Sequence, residues 1–407
     1  MKKKILFVDD DRPVLDGFRL MLRSRRKEWE LSFAQSGEEA LELLAEQPAD
    51  RPVDVIVADL RMRGMGGAVL LEQVQERWPG TLRVVLSGYS DMAATLKVVR
   101  AAHQFLAKPC SSEELTGVLA RILNLRGLLV DRQVLRHVGR LGALPALPDV
   151  YVSIMEELAS PEPAMDRLGA IVSRDPGVSA SLLKLVNSAF FGLFGTVTNP
   201  ARAVMLLGTE TLKGVVLGAH LLSRFSDERY VGYSLERVGA HSYRCGGYAR
   251  ALAATESKDK GFLERCMLAG LLHDVGKLLL AQDLWADYMP VIEAVRERGR
   301  PLFELEREML GVDHAVLGAY LLGVWGMAEE TVQAVLAHHD LSRDPGRGFT
   351  PAVCAHAANA LDHELNVFSD ERTVFPMDIE ALRARGLDAR VDAWRGACCP
   401  GAEEADF

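Results

Sequence analysis

The chain has 407 residues, 49% hydrophobic and 25% charged, with a formal net charge of −9. That is enough material for two or three domains, and the acidic balance disfavours a protein that works chiefly by gripping phosphate backbones, because such affinity comes from counterions displaced by a basic face. The apolar segment Ile5 to Val8 is too short for a signal-peptide core, and no later run approaches the ~20 residues of a membrane span. A cytoplasmic protein with no membrane partner is expected. The basic run Arg23-Ser24-Arg25-Arg26-Lys27 reads as the solvated end of a first helix, and nucleic acid is not an expected partner. Six cysteines without paired C-x-x-C spacing indicate neither a disulfide framework nor a zinc knot.

Over the first third, strand-like apolar runs alternate with helical patterns: Ile5–Val8, Val14–Leu22, Leu31–Ala34, Glu38–Leu44, Val53–Ala58, Val69–Trp78, Leu82–Leu86, Met92–Val99 and Gln104–Ala107. This alternation predicts a parallel sheet with helices on both faces. Ser36-x-x-Glu39 and Ser111-x-x-Glu114 are capping boxes that start two helices. The third run ends on Asp59 and then breaks into glycines up to Gly67. In such sheets chemistry collects outside the carboxyl ends of the strands, which is where Asp59 falls. The first run ends on Asp9-Asp10-Asp11, and the first and third strands of a doubly wound sheet are neighbours, so these carboxylates are expected beside Asp59. Crowded carboxylates call for a hard divalent ion, Mg²⁺. Ser87 and Lys108-Pro109 end the fourth and fifth runs, placing a hydroxyl and an ammonium on the same rim.

In this ordered set the first 122 residues resemble the receiver domain of two-component response regulators. The resemblance implies a flavodoxin-like α/β fold with a five-stranded parallel sheet in the order 2-1-3-4-5. It makes Asp59 the phosphoacceptor, assisted by Lys108 and Ser87, with Ser87 and Phe105 as the switch pair. It also implies that Asp10, Asp59 and the backbone carbonyl of Arg61 hold Mg²⁺, with Asp9 acting mainly through water. Arg63 stands where the family usually has proline and Gly66 where it often has aspartate, which leaves the shape of that loop open.

From Ser112 onward, Leu115, Val118, Ile122, Leu125 and Leu129 follow a and d spacing. A core stripe and a dimer seam both fit, so residues 123–140 are expected to form a linker helix through which a homodimer would pair. Leu144-Pro-Ala-Leu-Pro148 then stops a helix. Beyond it strand alternation gives way to all-α punctuation. Asp175-Pro176 and Asn199-Pro200 start helices, Leu182, Leu183, Val186, Ala189 and Phe190 stripe one, and Gly208 closes another. His241, His273-Asp274, His314 and His338-His339 are scattered over these helices, and Ala269 to Leu280 reads as one apolar helix with His273 and Asp274 inside it. Burying them unpaired costs several kcal/mol, so they must satisfy each other or hold a metal, Fe, Mn or Zn.

With Leu144 to Pro148, Asp175-Pro176, Asn187-Ser188, Leu207-Gly208, His241, His273-Asp274 and Gly311-Val-Asp-His314, residues 141–365 resemble the HDOD domain, a helical relative of the HD metal-dependent phosphohydrolases. Residues 366–407 are expected to be a C-terminal extension, partly disordered. The resemblance implies a regulatory output module, with a second metal site at His241, His273, Asp274, His314, His338, His339 and Asn359. Asn359 replaces the distal aspartate of the HD enzymes, which weakens that site, and Asp362 is a substitute on the same helix. The Gly-Tyr-Pro element of cyclic-di-GMP phosphodiesterases is replaced by Asp340-Leu-Ser-Arg343. The expected function is that of a bacterial response regulator, phosphorylated on Asp59 by a histidine kinase and acting on a downstream protein. The alternative is a phosphorylation-gated phosphohydrolase acting on a nucleotide or cyclic nucleotide.

Overall fold

The computed structural model describes residues 2–48, 51–88, 102–108, 110–127, 149–160, 162–186, 197–223, 235–366 and 375–398. The helix expected over Met92–Val99, the linker beyond residue 127, Leu144–Pro148, Asn187-Ser188 and the last nine residues lie outside them. The chain divides into two compact units, one built mainly on Met1–Val152 and the other on the residues after it.

The first unit carries strands β1 (Lys3–Val8), β2 (Trp29–Ala34), β3 (Val55–Asp59), β4 (Leu82–Gly88) and β5 (Gln104–Lys108), in the order β2-β1-β3-β4-β5. All four pairings are parallel. Val55 to Ala58 are fully buried, as expected for a central strand covered on both faces. Helices α1 (Arg12–Met21), α2 (Gly37–Ala45), α3 (Gly67–Arg77) and α4 (Ser112–Gly127) flank the sheet sequence. Both capping boxes form: the Glu39 amide donates to Ser36 Oγ at 3.1 Å and the Glu114 amide to Ser111 Oγ at 3.1 Å. The basic run is not the last turn of α1, which stops at Met21; Arg23–Arg25 forms a separate 3₁₀ turn.

Register does the positioning. Val8 pairs with Ala58, so Asp9 and Asp59 leave adjacent strand ends together, and Gly88 pairs with Lys108 at the same edge. After β3 the chain turns through Gly64, whose φ of 76° suits glycine. Gly67 then passes so close that an added Cβ would lie 2.0 Å from the Asp59 carbonyl oxygen.

The second unit is helical among the described residues. Helices Met165–Ser173, Pro176–Val186 and Pro200–Leu207 lead in, the last capped by Asn199, whose Oδ1 accepts from the Ala201 amide at 2.9 Å, and closed by Gly208. Its centre is built by α5 (Thr209–Ser223), α6 (Leu235–Glu256), α7 (Lys260–Leu272), α8 (Val275–Asp283), α9 (Leu302–Leu310), α10 (His314–Val324), α11 (Glu329–Ala337) and α12 (Pro351–Leu365).

One expectation is corrected here. His273 and Asp274 do not lie inside one helix: α7 ends at Leu272, α8 starts at Val275, and Asp274 has φ −97° and ψ 9°. Gly276, two residues on, packs against the His314 carbonyl so tightly that a Cβ would sit 1.9 Å from that oxygen. An uninterrupted helix cannot make that approach and also turn both side chains inward. Within the expected C-terminal extension, residues 375–398 pack into the core. Helix Ile379–Ala384, α13 (Val391–Cys398) and the connection between them contribute Leu382, Leu387, Val391 and Trp394 to the same cluster as Tyr248, Leu252 and Val353. Arg385 donates to the carbonyl oxygens of Leu341 and Asp344 at 2.8 and 3.0 Å, and Trp394 Nε1 donates to Glu256 at 2.8 Å.

Candidate functional sites

At the carboxyl edge of the sheet, the carboxylates of Asp9, Asp10 and Asp59 lie within 4.8 Å of one another. Lys108 bridges two of them, donating to Asp9 Oδ2 at 2.7 Å and to Asp59 Oδ1 at 2.5 Å. The Arg61 amide donates to the other Asp59 oxygen at 3.0 Å, and the Arg63 amide to Asp10 at 3.2 Å. The loop with the unusual Arg63 therefore serves the notch through its backbone, while the Arg63 side chain is 98% exposed. Desolvation raises the Asp59 pKa above the usual carboxylate value, outweighing the pull of Lys108. Desolvation opposes the Lys108 charge, but Asp59 and Asp9 hold its pKa up. Three clustered carboxylates with one ammonium keep net negative charge, and an all-oxygen donor set suits a hard cation. Ser87 lies on β4 one residue before its end, and Phe105 on β5 pairs with Val85.

In the helical unit, the structure gathers six of the seven expected residues. His241 Nε2 and His273 Nε2 stand 3.1 Å apart, and His314 Nε2 and His339 Nε2 stand 2.9 Å apart. Asp274 lies between the pairs: Oδ2 is 3.4 Å from His241 Nε2 and 3.3 Å from His273 Nε2, while Oδ1 is 3.2 Å from His314 Nε2 and 3.8 Å from His338 Nε2. Asn359 is buried one turn before Asp362, and its amide oxygen has no hydrogen-bond partner. Asp362 does not act as the substitute ligand that its helix position suggested. Its carboxylate is taken up by His241 Nδ1 at 2.6 Å and by Arg244 at 2.6 and 2.9 Å. Desolvation opposes its charge, yet these partners bring its pKa down to about 2.

The outward faces of the imidazoles decide what the inward faces can do. The Nδ1 atoms of His273 and His338 donate to the carbonyls of Gly270 and Val335 at 2.8 and 2.6 Å, and His314 Nδ1 meets Glu306 at 2.6 Å. With Nδ1 protonated, the neutral rings of His273 and His338 turn a lone pair inward at Nε2. Burial pushes the pKa values of His273, His338 and His339 down, so neutral rings are favoured. Burial also opposes the charging of His314, but Glu306 and Asp274 hold its pKa up to about 9. Lone pairs of His273 and His338 and the carboxylate of Asp274 thus converge on one centre, where His338 Nε2 lacks a hydrogen-bond partner. Lys277 Nζ, 3.0 Å from Asp274 Oδ2, answers part of this negative potential. A converging acceptor set of nitrogen and oxygen fits a transition-metal ion. A mostly apolar recess walled by residues such as Val215, Gly218, Val238 and Leu278 has Asp274 in its lining.

Two contributors were not singled out from sequence. Glu306 is fully buried, accepts from Tyr288 Oη at 3.0 Å and from the His314 amide at 2.9 Å, and orients His314. Cys245 places Sγ 3.6 Å from His241 Nε2. Its one sequence signal is the i,i+4 spacing from His241, which puts both on one helix face.

An open parallel sheet with this acidic notch and its lysine defines a receiver-type signalling module, joined in one chain to a helical module with a histidine-lined centre. The receiver domain family of response regulators matches residues 5–120, and the HDOD domain family matches residues 144–341. The chain carries a response regulator receiver domain followed by an HDOD domain. Receiver domains take phosphoryl groups from a phosphodonor such as a histidine kinase and generally bind Mg²⁺, and the HD-like fold can bind metals. An uncharacterized protein of Treponema pallidum is 28% identical over 51% of this chain and 39% of its own length. The hydrogenase transcriptional regulatory protein HoxA of Cupriavidus necator is 34% identical over 31% of this chain and 25% of its own. The chain thus spans well under half of either relative. Among solved structures, an HDOD domain protein of Geobacter sulfurreducens is 20% identical, covering 69% of this chain and 98% of that one with a TM-score of 0.44. No described helix is long and apolar enough to cross a membrane.

Proposed function

We propose that Asp59 accepts a phosphoryl group from the phosphohistidine of a partner kinase and that the HDOD domain converts this event into altered protein binding. The observation that carries the reading is the double ion pair of Lys108 with Asp59 and Asp9 at the ends of three parallel strands. An Asp59 oxygen attacks phosphorus as the donor's P–N bond breaks, so one O–P bond replaces one P–N bond. Lys108 is already within contact of the nucleophile and holds a positive charge where charge gathers on the transferring oxygens. Asp9, Asp10, Asp59 and the Arg61 carbonyl are the residues that would hold Mg²⁺, which supplies charge neutralisation for the incoming group. The backbone hydrogen bond from Arg61 steadies the Asp59 carboxylate.

The modification adds about −1.5 to −2 charges. Each new charge-assisted contact, from Lys108 and from Ser87, is worth roughly 1.5–3 kcal/mol, and a swing from 1:99 to 99:1 needs about 5.5 kcal/mol. Two contacts come near that figure without exceeding it comfortably, so the output is graded, expressed as a shift in partner binding or in dimerisation through the segment after residue 122. Incubation with Mg²⁺ and a labelled acyl phosphate tests the first step: label should be bound by the wild type and not by Asp59→Asn. An unlabelled wild type, or equal labelling of both proteins, overturns the reading.

The convergence of lone pairs at Asp274 supports a second component, an Fe, Mn or Zn site in the HDOD domain. His241, His273, Asp274, His314, His338 and His339 would hold it. Metal content measured on the purified full chain tests this component. Hydrolysis of a nucleotide or cyclic nucleotide there is the rival reading, and release of product from such substrates by the metal-loaded chain would establish it.

A further inference from the structure

Four of the five imidazoles at the centre are held from outside at Nδ1: His241 by Asp362, His273 by the Gly270 carbonyl, His314 by Glu306 and His338 by the Val335 carbonyl. His339 breaks this rule. Its Nδ1 is buried without a hydrogen-bond partner among the described residues, while its Nε2 faces His314 Nε2 at 2.9 Å. The ring is met by aromatic groups instead. Phe303 on α9 is stacked on it, with centroids 4.4 Å apart and 14° between the planes, and Phe375 is set across it at 4.8 Å and 72°. We infer that Phe375 is a positioning residue for His339, through which the C-terminal segment 375–398 clamps this side of the centre.

The arrangement of the rings carries the argument. Phe303 and Phe375 stand 6.1 Å apart at 80° to each other, so they bound the imidazole in two nearly perpendicular planes. Together they leave it little room to turn about its Cβ–Cγ bond, the freedom that a hydrogen bond at Nδ1 removes in the other four. Stacked and edge-to-face pairs at these separations attract each other beyond the area they bury. The Arg307 guanidinium, 5.0 Å from the Phe303 centroid, steadies the first wall.

The second wall is anchored by its own segment. Phe375 is buried and lies edge to face with His356 at 5.2 Å and 80°. Three residues on, the Asp378 amide donates to His356 Nε2 at 3.0 Å, and His356 Nδ1 donates to the His338 carbonyl at 2.9 Å. One neutral tautomer of His356 satisfies both bonds. The segment thus reaches the centre by two routes, through the side chain of His339 and through the backbone of His338. Asp378 also accepts from the Ala381 amide at 2.9 Å, starting the helix whose Leu382 enters the buried cluster. Lifting the segment therefore frees His339.

The clamp acts on the centre to which the metal reading applies, but its first test needs no metal. Chelator-stripped full-length protein is treated with diethyl pyrocarbonate, and carbethoxylation of each histidine is followed by mass spectrometry. His339 should react slowly in the wild type. F375L, which keeps apolar bulk without the ring, should speed His339 about tenfold and leave His273 unchanged, and F375Y, which keeps the ring, should react as the wild type does. L387A loosens the same segment outside these ring contacts and should have a smaller effect. An unchanged His339 rate in F375L, or equal acceleration in F375L and L387A, overturns the inference. A wild-type His339 that reacts as fast as a histidine in a short peptide overturns it even where F375L fails to fold. Chelator competition with Zn²⁺ adds a second readout: affinity should fall about ten- to a hundredfold in F375L and be kept in F375Y. Equal affinity of F375L and the wild type counts against the positioning role. A wild type that binds no Zn²⁺ overturns the metal reading, and the modification rates then decide the clamp alone.

Discussion

At the receiver notch three carboxylates are served by one lysine; at the helical centre five imidazoles are served by one aspartate. The receiver's groups stand at a rim, with side-chain exposure of 12% for Asp59 and 27% for Lys108, whereas His273 and Asp274 are at 0 and 1%. An oxygen-only set near water suits a weakly held ion that leaves a carboxylate free to react. A buried set dominated by nitrogen suits an ion that is retained. Position in the fold, more than residue type, leaves Asp59 at an accessible rim and makes Asp274 a buried bridge.

That contrast can be broken most sharply at Asp274. Replacing it by Asn removes the carboxylate common to both histidine groups, and metal per chain should fall to near zero while labelling of Asp59 by a phosphodonor is unchanged. A loss of labelling would show the two sites to be one system. Next in size, Gly67→Ala and Gly276→Ala each drive a Cβ into a carbonyl oxygen, Asp59 in one unit and His314 in the other. Each should cost about 3 kcal/mol, read from urea midpoints; a loss under ~0.5 kcal/mol at either site would mean that the backbone gives way there.

A smaller effect is expected at Asp362. Asp362→Asn weakens the hold on His241 without touching the centre itself, and metal affinity should fall ten- to a hundredfold by chelator competition. An unchanged affinity would make Asp362 a partner of Arg244 alone.

The smallest effect concerns pH. Desolvation pushes the Glu256 carboxyl up, but hydrogen bonds from Trp394, Arg390 and Thr255 prevail and hold its pKa below the usual range. A depressed carboxylate pKa stabilises the fold above the unfolded value of about 4.3, and the contribution is lost as pH falls through the folded value. Protection of α13 amides relative to their intrinsic exchange rate should therefore fall as pH drops below about 4, for a loss of about 1 kcal/mol. Glu256→Gln should flatten that response; an identical profile would assign the acid sensitivity elsewhere.

Much of the receiver was legible because its short apolar runs, its acidic strand ends and its capping boxes are local patterns, while the sheet order came with the resemblance to receiver domains. The five strands fall where short apolar runs predicted them, and Asp9, Asp10, Asp59 and Lys108 are brought together. In the helical unit the histidines were visible but their supports were not. The break between Leu272 and Val275 falls beside a tight tertiary contact of Gly276, which periodicity cannot report. Glu306 looks like a surface acid on an amphipathic helix until Tyr288 and His314 close over it. Asp362 looks like a ligand until Arg244 claims it.

The docking of α13 bears on how the protein can be cut. Similarity to the HDOD family stops at residue 341, yet Trp394 is fully buried in one cluster with Tyr248 and Val353. A fragment designed on that limit would discard α12, with Asp362, and the strap that closes over it. It would leave a greasy trench along α6 and α7 facing solvent, so dissection of this protein belongs after Cys398.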